Sequence, residues 1–281
     1  MPVKQHTLRD VAVVKGFGAF TGDEVTVEIH PAPIDHGPSF ELHRGAAVYH
    51  IPVSTSNIVE TENRTVLADP ENPAHQVNIV EHVLATLHGL GVDNAIVKVN
   101  SIEIPLIDGS ALPFVKALDD VGLIEQDAPK REIIIERPIF IDDNGLLVVL
   151  PCDTLRLTYY LDHPNDIVGK RLAQIDVTPD NFRNRIAPAR TFIKAEKVDD
   201  LLASGAVGYT DQEQVLIVYK DRISRPLRIE DEFCYHKMLD ILGDMYLTGR
   251  PLRAHIIGVR SGHYQNRKMV RKIAEEYLSH I

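Results

Sequence analysis

The segment from Glu232 to Leu247 is apolar on almost every side, and it constrains the fold more than any other feature of the chain. Its apolar residues are Phe233, Met238, Leu239, Ile241, Leu242, Met245 and Tyr246. Acidic residues stand at its start, and Gly249 and Pro251 follow its end, an asymmetry that is typical of a helix. A helix that is apolar all round has to be buried, so the rest of the chain must supply elements that cover it.

Three polar residues, His236, Asp240 and Asp244, interrupt this helix at intervals of four. Positions four apart lie on one face of a helix, so the imidazole of His236 and the carboxylate of Asp240 are able to bind one ion. A buried charged stripe must find partners or a metal. An ordinary amphipathic helix whose polar stripe faces water explains the same spacing equally well. This segment alone therefore leaves a metal site and a solvated stripe as alternatives.

An acid and a histidine, Glu81 and His82, stand side by side in a pattern that predicts a helix from about His75 to Leu90. On its own, such a pair is more often part of a solvated surface. If His82 joined His236 and Asp240, three protein ligands would leave one coordination position open, as a catalytic zinc requires. Glu81 would then be a candidate general base, and the combination indicates metal-assisted hydrolysis.

Both halves of the chain show the alternation of polar and apolar residues that predicts half-buried strands. The polar segment from Glu125 to Glu132 is interpreted as a linker, which gives an N-terminal domain of residues 1–126 and a C-terminal domain of residues 127–281. Each half reads as strands, a helix, further strands and a last helix, with the final helix predicted from Asn266. The pattern predicts a duplicated α+β architecture, in which helices pack on β-sheet.

The charge and composition of the chain exclude several classes of protein. A formal net charge of −10 over 281 residues disfavours a nucleic-acid binder, whose signature is a basic face. No apolar run approaches the length of a membrane span, and the N-terminus lacks the apolar stretch of a signal peptide, so a cytoplasmic location is expected. The two cysteines lie outside any Cys/His cluster, which argues against a disulfide scaffold.

Five segments in order resemble the UDP-3-O-acyl-N-acetylglucosamine deacetylase family. They are Asn78-Ile-Val-Glu-His-Val-Leu-Ala-Thr-Leu-His-Gly-Leu-Gly91, Glu103-Ile-Pro-Leu-Ile-Asp-Gly-Ser-Ala111, Ala189-Arg-Thr-Phe192, His236-Lys-Met-Leu-Asp-Ile-Leu-Gly-Asp244 and Ser261-Gly-His263. Five motifs in the family's order are far more specific than any one of them. The resemblance implies two similar α+β domains with the active site in the cleft between them.

The resemblance also implies a set of site residues and a reaction. His82, His236 and Asp240 would bind zinc, and Glu81 would be the general base. His263, oriented by Asp244, would be the cationic partner that stabilises the oxyanion or protonates the leaving amine. Three further roles are implied: oxyanion stabilisation by Thr191, and substrate contacts by Lys237 and Phe192.

The implied reaction hydrolyses the N-acetyl amide of an acylated UDP-sugar and releases acetate, an early step of lipid A biosynthesis. A monomer is expected from the resemblance. Two histidines and one carboxylate also suit Fe²⁺, so the sequence leaves zinc and iron as alternatives.

Several segments depart from the family pattern, although none of them carries a metal ligand or the base. Phe20, in Gly16-Phe-Gly-Ala-Phe-Thr-Gly22, stands where the family has a histidine. The segment 208–213 replaces a glycine-rich loop, and Asp162-His-Pro164 lacks an aromatic residue of the family motif. Two alternatives to the family reaction therefore stay open: an enzyme that deacetylates a different N-acetylated sugar or amide, and a metal-binding homologue without catalysis.

Overall fold

The computed structural model describes residues 3–165, 167–198 and 215–278. In the first half of the chain, the strands are β1 (Lys4–Leu8), β2 (Ala12–Phe17), β3 (Glu24–Pro31), β4 (Pro38–Arg44), β5 (Ala47–Pro52), β6 (Ile58–Val59), β7 (Val66–Ala68), β8 (Gln76–Asn78), β9 (Ala95–Val99) and β10 (Leu123–Pro129). In the second half, they are β11 (Ile133–Ile134), β12 (Ile139–Asp142), β13 (Leu146–Leu150), β14 (Arg156–Asp162), β15 (Lys170–Asp176), β16 (Phe192–Lys194), β17 (Leu216–Val218), β18 (Leu252–Arg253) and β19 (His255–Val259).

Helices of ten or more residues, within the described ranges, are α1 (Glu81–Leu90), α2 (Leu112–Val121), α3 (Glu232–Met245) and α4 (His263–Tyr277). Shorter helical turns lie at Thr55–Asn57, Pro179–Asn181, Phe182–Ile186 and Tyr246–Thr248. None of the described helices is long and apolar enough to cross a membrane.

Two five-stranded sheets have the same topology, with strand orders β2-β3-β9-β4-β5 and β12-β13-β19-β14-β15. In each sheet the middle strand is antiparallel to one neighbour and parallel to the other. Alternate residues of β3 and β14 are buried, so each sheet has one covered face. α2 packs against β2, while α3 and α4 pack against strands of the second sheet. The fold class expected from the sequence, helices packed on β-sheet, is confirmed.

α1 and α3 pack directly against each other, and their backbones approach closely at Gly243. A Cβ atom on Gly243 of α3 would lie only 2.1 Å from the backbone oxygen of Glu81 on α1, so a side chain at this position has no room. Nδ1 of His88 donates to the carbonyl of Leu242 at 3.0 Å, and the Tyr246 hydroxyl donates to the carbonyl of Val92 at 2.6 Å. The apolar helix predicted from Glu232 is therefore buried, and α1 is one of the elements that cover it.

Three expectations about element boundaries need correction. The helix expected from His75 starts at Glu81, because Gln76–Asn78 pairs with β7 and Ile79 adopts a left-handed backbone with φ of 61°. The helix expected from Asn266 starts at His263. The segment interpreted as a linker is in part strand β10, which pairs with β1. Its side chains are mostly exposed, and an exposed ribbon shows no apolar alternation in the sequence.

The division into two domains stays a prediction. The matching sheet topologies agree with a duplication, but the buried apolar residues of both halves form one continuous cluster. The proposed boundary at residues 126 and 127 falls inside β10.

We predict that Gly243→Ala destabilises the protein by about 3 kcal/mol, at the upper end of the range for overpacking. The added methyl meets backbone atoms of Glu81, which move only if α1 and α3 separate. Urea unfolding measures the change. Gly262→Ala is the control, since the nearest atom to its Cβ would be Oε1 of Gln265 at 4.0 Å. Equal stability of the two variants would contradict the close approach of the helices.

Candidate active site

Three side chains of the two central helices come together as a group that is able to hold a metal ion. His82 lies on α1, and His236 and Asp240 lie one turn apart on α3. One ligand atom from each lies within 4.8 Å of the others, and all three residues are buried. The structure therefore brings together, from segments more than 150 residues apart, the ligand set expected from the sequence.

The protonation of this group suits a divalent cation. Nδ1 of His236 donates to the carbonyl of Ala189 at 3.1 Å, which leaves the lone pair of Nε2 free, and burial lowers the pKa of this ring to about 3. Burial also lowers the pKa of His82, whose Nδ1 has no hydrogen-bond partner among the described residues. Burial opposes ionisation of Asp240, but Lys237, His236 and His263 together outweigh it and hold the pKa of this carboxyl below its usual range. Neutral imidazoles and an ionised carboxylate are the ligands that zinc binds.

A buried ion pair fixes the backbone that orients His236. Arg190 donates to Glu232 through Nε at 2.7 Å and Nη2 at 3.1 Å, and both residues are almost fully buried. The backbone N–H of Arg190 also donates to Glu232 at 3.0 Å. Because Ala189 and Thr191 flank this arginine, the pair sets the positions of the carbonyl that orients His236 and of the Thr191 side chain.

Glu81 and His263 face each other next to the metal-ligand group. Oε1 of Glu81 lies 4.0 Å from Nε2 of His263, and both residues are buried. Burial raises the pKa of Glu81 to about 7, although the charge of His263 acts in the opposite direction. A carboxyl group with this pKa is able to exchange a proton near neutral pH.

Asp244 keeps His263 charged and fixes its orientation. Nδ1 of His263 donates to Oδ2 of Asp244 at 2.7 Å, and Asn266 donates to the same oxygen at 2.8 Å. Burial acts to lower the pKa of His263, but the carboxylates of Asp244 and Asp240 raise it to about 9. The stripe noted in the sequence therefore has two functions in the structure: Asp240 lies in the ligand group and Asp244 supports His263.

Thr65 connects these groups, and no sequence motif marks it as a site residue. Its backbone N–H donates to Glu81 at 3.0 Å, and its hydroxyl donates to Oδ1 of Asp244 at 2.5 Å. The same hydroxyl lies 3.2 Å from Nδ1 of His263, and the residue is fully buried. Thr65 lies directly before a short strand, and a contact across 179 residues leaves no periodic signal.

A cavity of about 930 Å³ opens onto this group of residues. Thr191, Phe192 and Lys237 border it together with Glu81 and His263. Nζ of Lys237 lies 2.6 Å from Asp240 and 5.6 Å from the centre of the Phe192 ring. All nine site residues expected from the sequence thus lie in this cavity or in direct contact with residues that line it.

Two of the segments that depart from the family pattern border the same cavity. Phe20 and His163 both line it, and the His163 ring makes an edge contact with Phe192 at 6.4 Å between ring centres. The third segment, residues 208–213, lies outside the described residues.

Comparisons with known proteins agree with the resemblance. The family model LpxC, described as UDP-3-O-acyl N-acetylglycosamine deacetylase, matches residues 5–275. A UDP-3-O-acyl-N-acetylglucosamine deacetylase from Leptospira biflexa is 33% identical over 93% of this chain and 86% of its own length. A protein of the same name from Pseudomonas entomophila is 34% identical over 98% of this chain and 91% of its own length. The chain belongs to the UDP-3-O-acyl N-acetylglycosamine deacetylase family.

We predict that Thr65→Val lowers kcat by about 10- to 100-fold, in keeping with the loss of a hydrogen bond to a charged group. Valine keeps the shape of threonine but removes the hydroxyl that contacts Asp244 and His263. KM should change little, because the hydroxyl faces the catalytic groups. Steady-state kinetics of acetate release measure both constants.

Thr65→Ser is the matched control, since it restores the hydroxyl and should recover most of kcat. If valine and serine reduce kcat equally, the side chain acts only through packing, and the role assigned to its hydroxyl is wrong.

Proposed function

We propose that this chain hydrolyses the N-acetyl amide of a UDP-3-O-acyl-N-acetylglucosamine and releases acetate, an early step of lipid A biosynthesis. The observation that carries the proposal is the arrangement of Glu81 and His263. They face each other at 4.0 Å beside three ligand-type side chains, at the base of one cavity. The names of the relatives support the substrate.

His82, His236 and Asp240 would hold the metal, and their donor set and burial fit zinc. Fe²⁺ is the second candidate, because two histidines and one carboxylate suit it as well. When bound, the ion supplies a Lewis acid that lowers the pKa of water toward about 7 and polarises a carbonyl oxygen.

Glu81 takes the proton of the attacking water in this proposal. Its pKa of about 7 keeps a large fraction of the carboxyl ionised at neutral pH, and yet lets it hold the proton it receives. The N–H of Thr65 fixes the second carboxylate oxygen, so that Glu81 presents its other oxygen toward His263.

His263 supplies the proton to the leaving amine. An amine leaves poorly unless it is protonated, and a pKa of about 9 keeps this imidazole charged at neutral pH. Thr191 borders the cavity with these groups, and its hydroxyl would donate to the oxygen that becomes negative.

Lys237 and Phe192 would contact the substrate. Both line the cavity, and the ammonium group of Lys237 sits above the aromatic ring. Burial acts to lower the pKa of Lys237, but the charge of Asp240 raises it, so this lysine remains a cation that is able to contact the anionic part of a nucleotide sugar. We further propose that the enzyme acts as a cytoplasmic monomer without nucleic acid.

The second candidate is deacetylation of a different N-acetylated sugar or amide. Phe20 and the shortened segment 162–164, which lacks an aromatic residue of the family motif, favour it, because Phe20 and His163 border the cavity. A metal-binding homologue without catalysis is the third, and the presence of both Glu81 and His263 argues against it.

We predict that Glu81→Gln lowers kcat for the acylated UDP-N-acetylglucosamine by about 100- to 10,000-fold, the usual contribution of general acid–base catalysis. Metal content should stay at one ion per chain, because Glu81 is not part of the ligand group. Acetate release and elemental analysis measure the two quantities.

Glu24→Gln is the matched control, since Glu24 is exposed at the start of β3 and should leave both quantities unchanged. Wild-type metal binding without turnover of this substrate would move the search to other N-acetylated compounds. Undiminished turnover in Glu81→Gln would contradict the role of the base.

We also predict that removal of the metal by a chelator abolishes turnover and that zinc restores it. His236→Ala should lose the ion, because His236 supplies one of three ligands. Parallel reconstitution with Zn²⁺ and Fe²⁺ under anaerobic conditions compares the two metals. Full activity of the metal-free protein would contradict the mechanism.

A further inference from the structure

Arg64 and Phe20 form a cation–π pair at the rim of the active-site cavity. The guanidinium carbon of Arg64 lies 4.6 Å from the centre of the Phe20 ring, and both residues line the cavity that contains Glu81 and His82. Phe20 is 37% exposed, so its ring is covered by the arginine on one side and remains accessible elsewhere. Neither residue has a role in the reaction described above.

Two neighbouring residues hold the pair in place. Asn78 and Glu103 are bridge partners on adjacent backbone segments. Oδ1 of Asn78 accepts from Nε of Arg64 at 2.9 Å. The buried carboxylate of Glu103 accepts from the backbone N–H of Phe20 at 3.1 Å and from that of Thr21 at 2.7 Å. One structural unit therefore fixes the arginine side chain and the loop that carries the aromatic ring.

Among the described residues, the outer end of the guanidinium group has no hydrogen-bond partner. Nε of Arg64 is occupied by Asn78, but Nη1 and Nη2 make no hydrogen bond to any residue that the structure describes. Arginine presents these donors in a planar fork that matches paired oxygen acceptors. Stacking on an aromatic ring restricts the side chain before a ligand arrives, which lowers the entropic cost of binding.

The segment that carries Arg64 is also held by contacts that do not involve the Arg64 side chain. Arg267 of α4 is almost fully buried and donates to the carbonyl of Thr61 at 2.7 Å and to that of Arg64 at 3.5 Å. Its Nε also donates to Glu60 at 3.1 Å. These contacts hold residues 60–64 against α4 through Arg267, so the Arg64 side chain is available for a ligand.

We propose that Arg64, held by Phe20, is a specificity-determining residue whose free N–H groups bind oxygen atoms of the nucleotide sugar. The inference rests on the proposed function. The oxygen atoms belong either to the diphosphate or to the hydroxyl groups of the sugar, and both are acceptors for the same fork of donors.

The test compares Arg64→Met, Arg64→Lys and Phe20→Leu with the wild-type enzyme on UDP-3-O-acyl-N-acetylglucosamine. Arg64→Met should raise KM by about 10- to 100-fold with little change in kcat, because a charged hydrogen bond to the substrate is lost. The KM of Arg64→Lys should lie between those of the wild type and Arg64→Met, since lysine keeps the charge but lacks the planar fork of donors. Phe20→Leu should raise KM by about 2- to 5-fold, through loss of the cation–π contact.

Arg137→Met is the control, because Arg137 is exposed at a distance from the cavity and pairs with Glu276. UDP as a competitive inhibitor separates the two sources of oxygen. A larger inhibition constant for UDP in Arg64→Met assigns the contact to the diphosphate. An unchanged inhibition constant with a raised KM assigns it to the sugar.

Two negative results are distinguishable. If the wild type turns over the substrate and Arg64→Met has the same KM, or loses kcat together with thermal stability, the inference about Arg64 is wrong while the proposed function stands. If the wild type neither turns over this substrate nor binds UDP, the proposed function is wrong and the inference falls with it.

Discussion

The close approach of α1 and α3 is the constraint on which the site depends. Gly243 lets the backbone of α3 lie against that of Glu81, and this contact brings His82 to the face of α3 that carries His236 and Asp240. Packing of this kind is stabilised by the apolar residues around the polar stripe, not by the stripe itself. The free energy gained by burying apolar side chains thus offsets the cost of burying several charged groups. The arrangement of the site residues is a consequence of how the two helices pack.

Buried charges in such a core need partners, and here the partners also set the chemistry. Asp244 accepts hydrogen bonds from Thr65, His263 and Asn266, which fix its carboxylate next to the histidine it supports. Burial raises the pKa of Glu81 to about 7, while neighbouring carboxylates raise that of His263 to about 9. Two titratable groups 4.0 Å apart thereby have pKa values that differ by about two units, a pattern that is typical of acid–base sites.

Much of the fold and of the candidate site could be predicted from the sequence. The apolar residues and the i, i+4 polar stripe predict α3. The ordered motifs predict nine site residues that line the cavity or contact residues that line it, because these signals are local in the sequence. Thr65 and Arg64 could not be found in this way, since their importance arises from contacts with residues distant in the chain. The apolar spacing predicts too early a start for α1, because Gln76–Asn78 continues that spacing but pairs with β7. Local periodicity could not reveal that competing strand contact.

Anomalous diffraction from crystals of the zinc-loaded protein tests the central claim most directly. The packing of α1 against α3 predicts a single zinc peak, with His82, His236 and Asp240 as its protein ligands at about 2.0 to 2.2 Å. A zinc peak next to other residues, or no peak in crystals supplied with saturating zinc, would contradict the assignment of the metal site to these two helices.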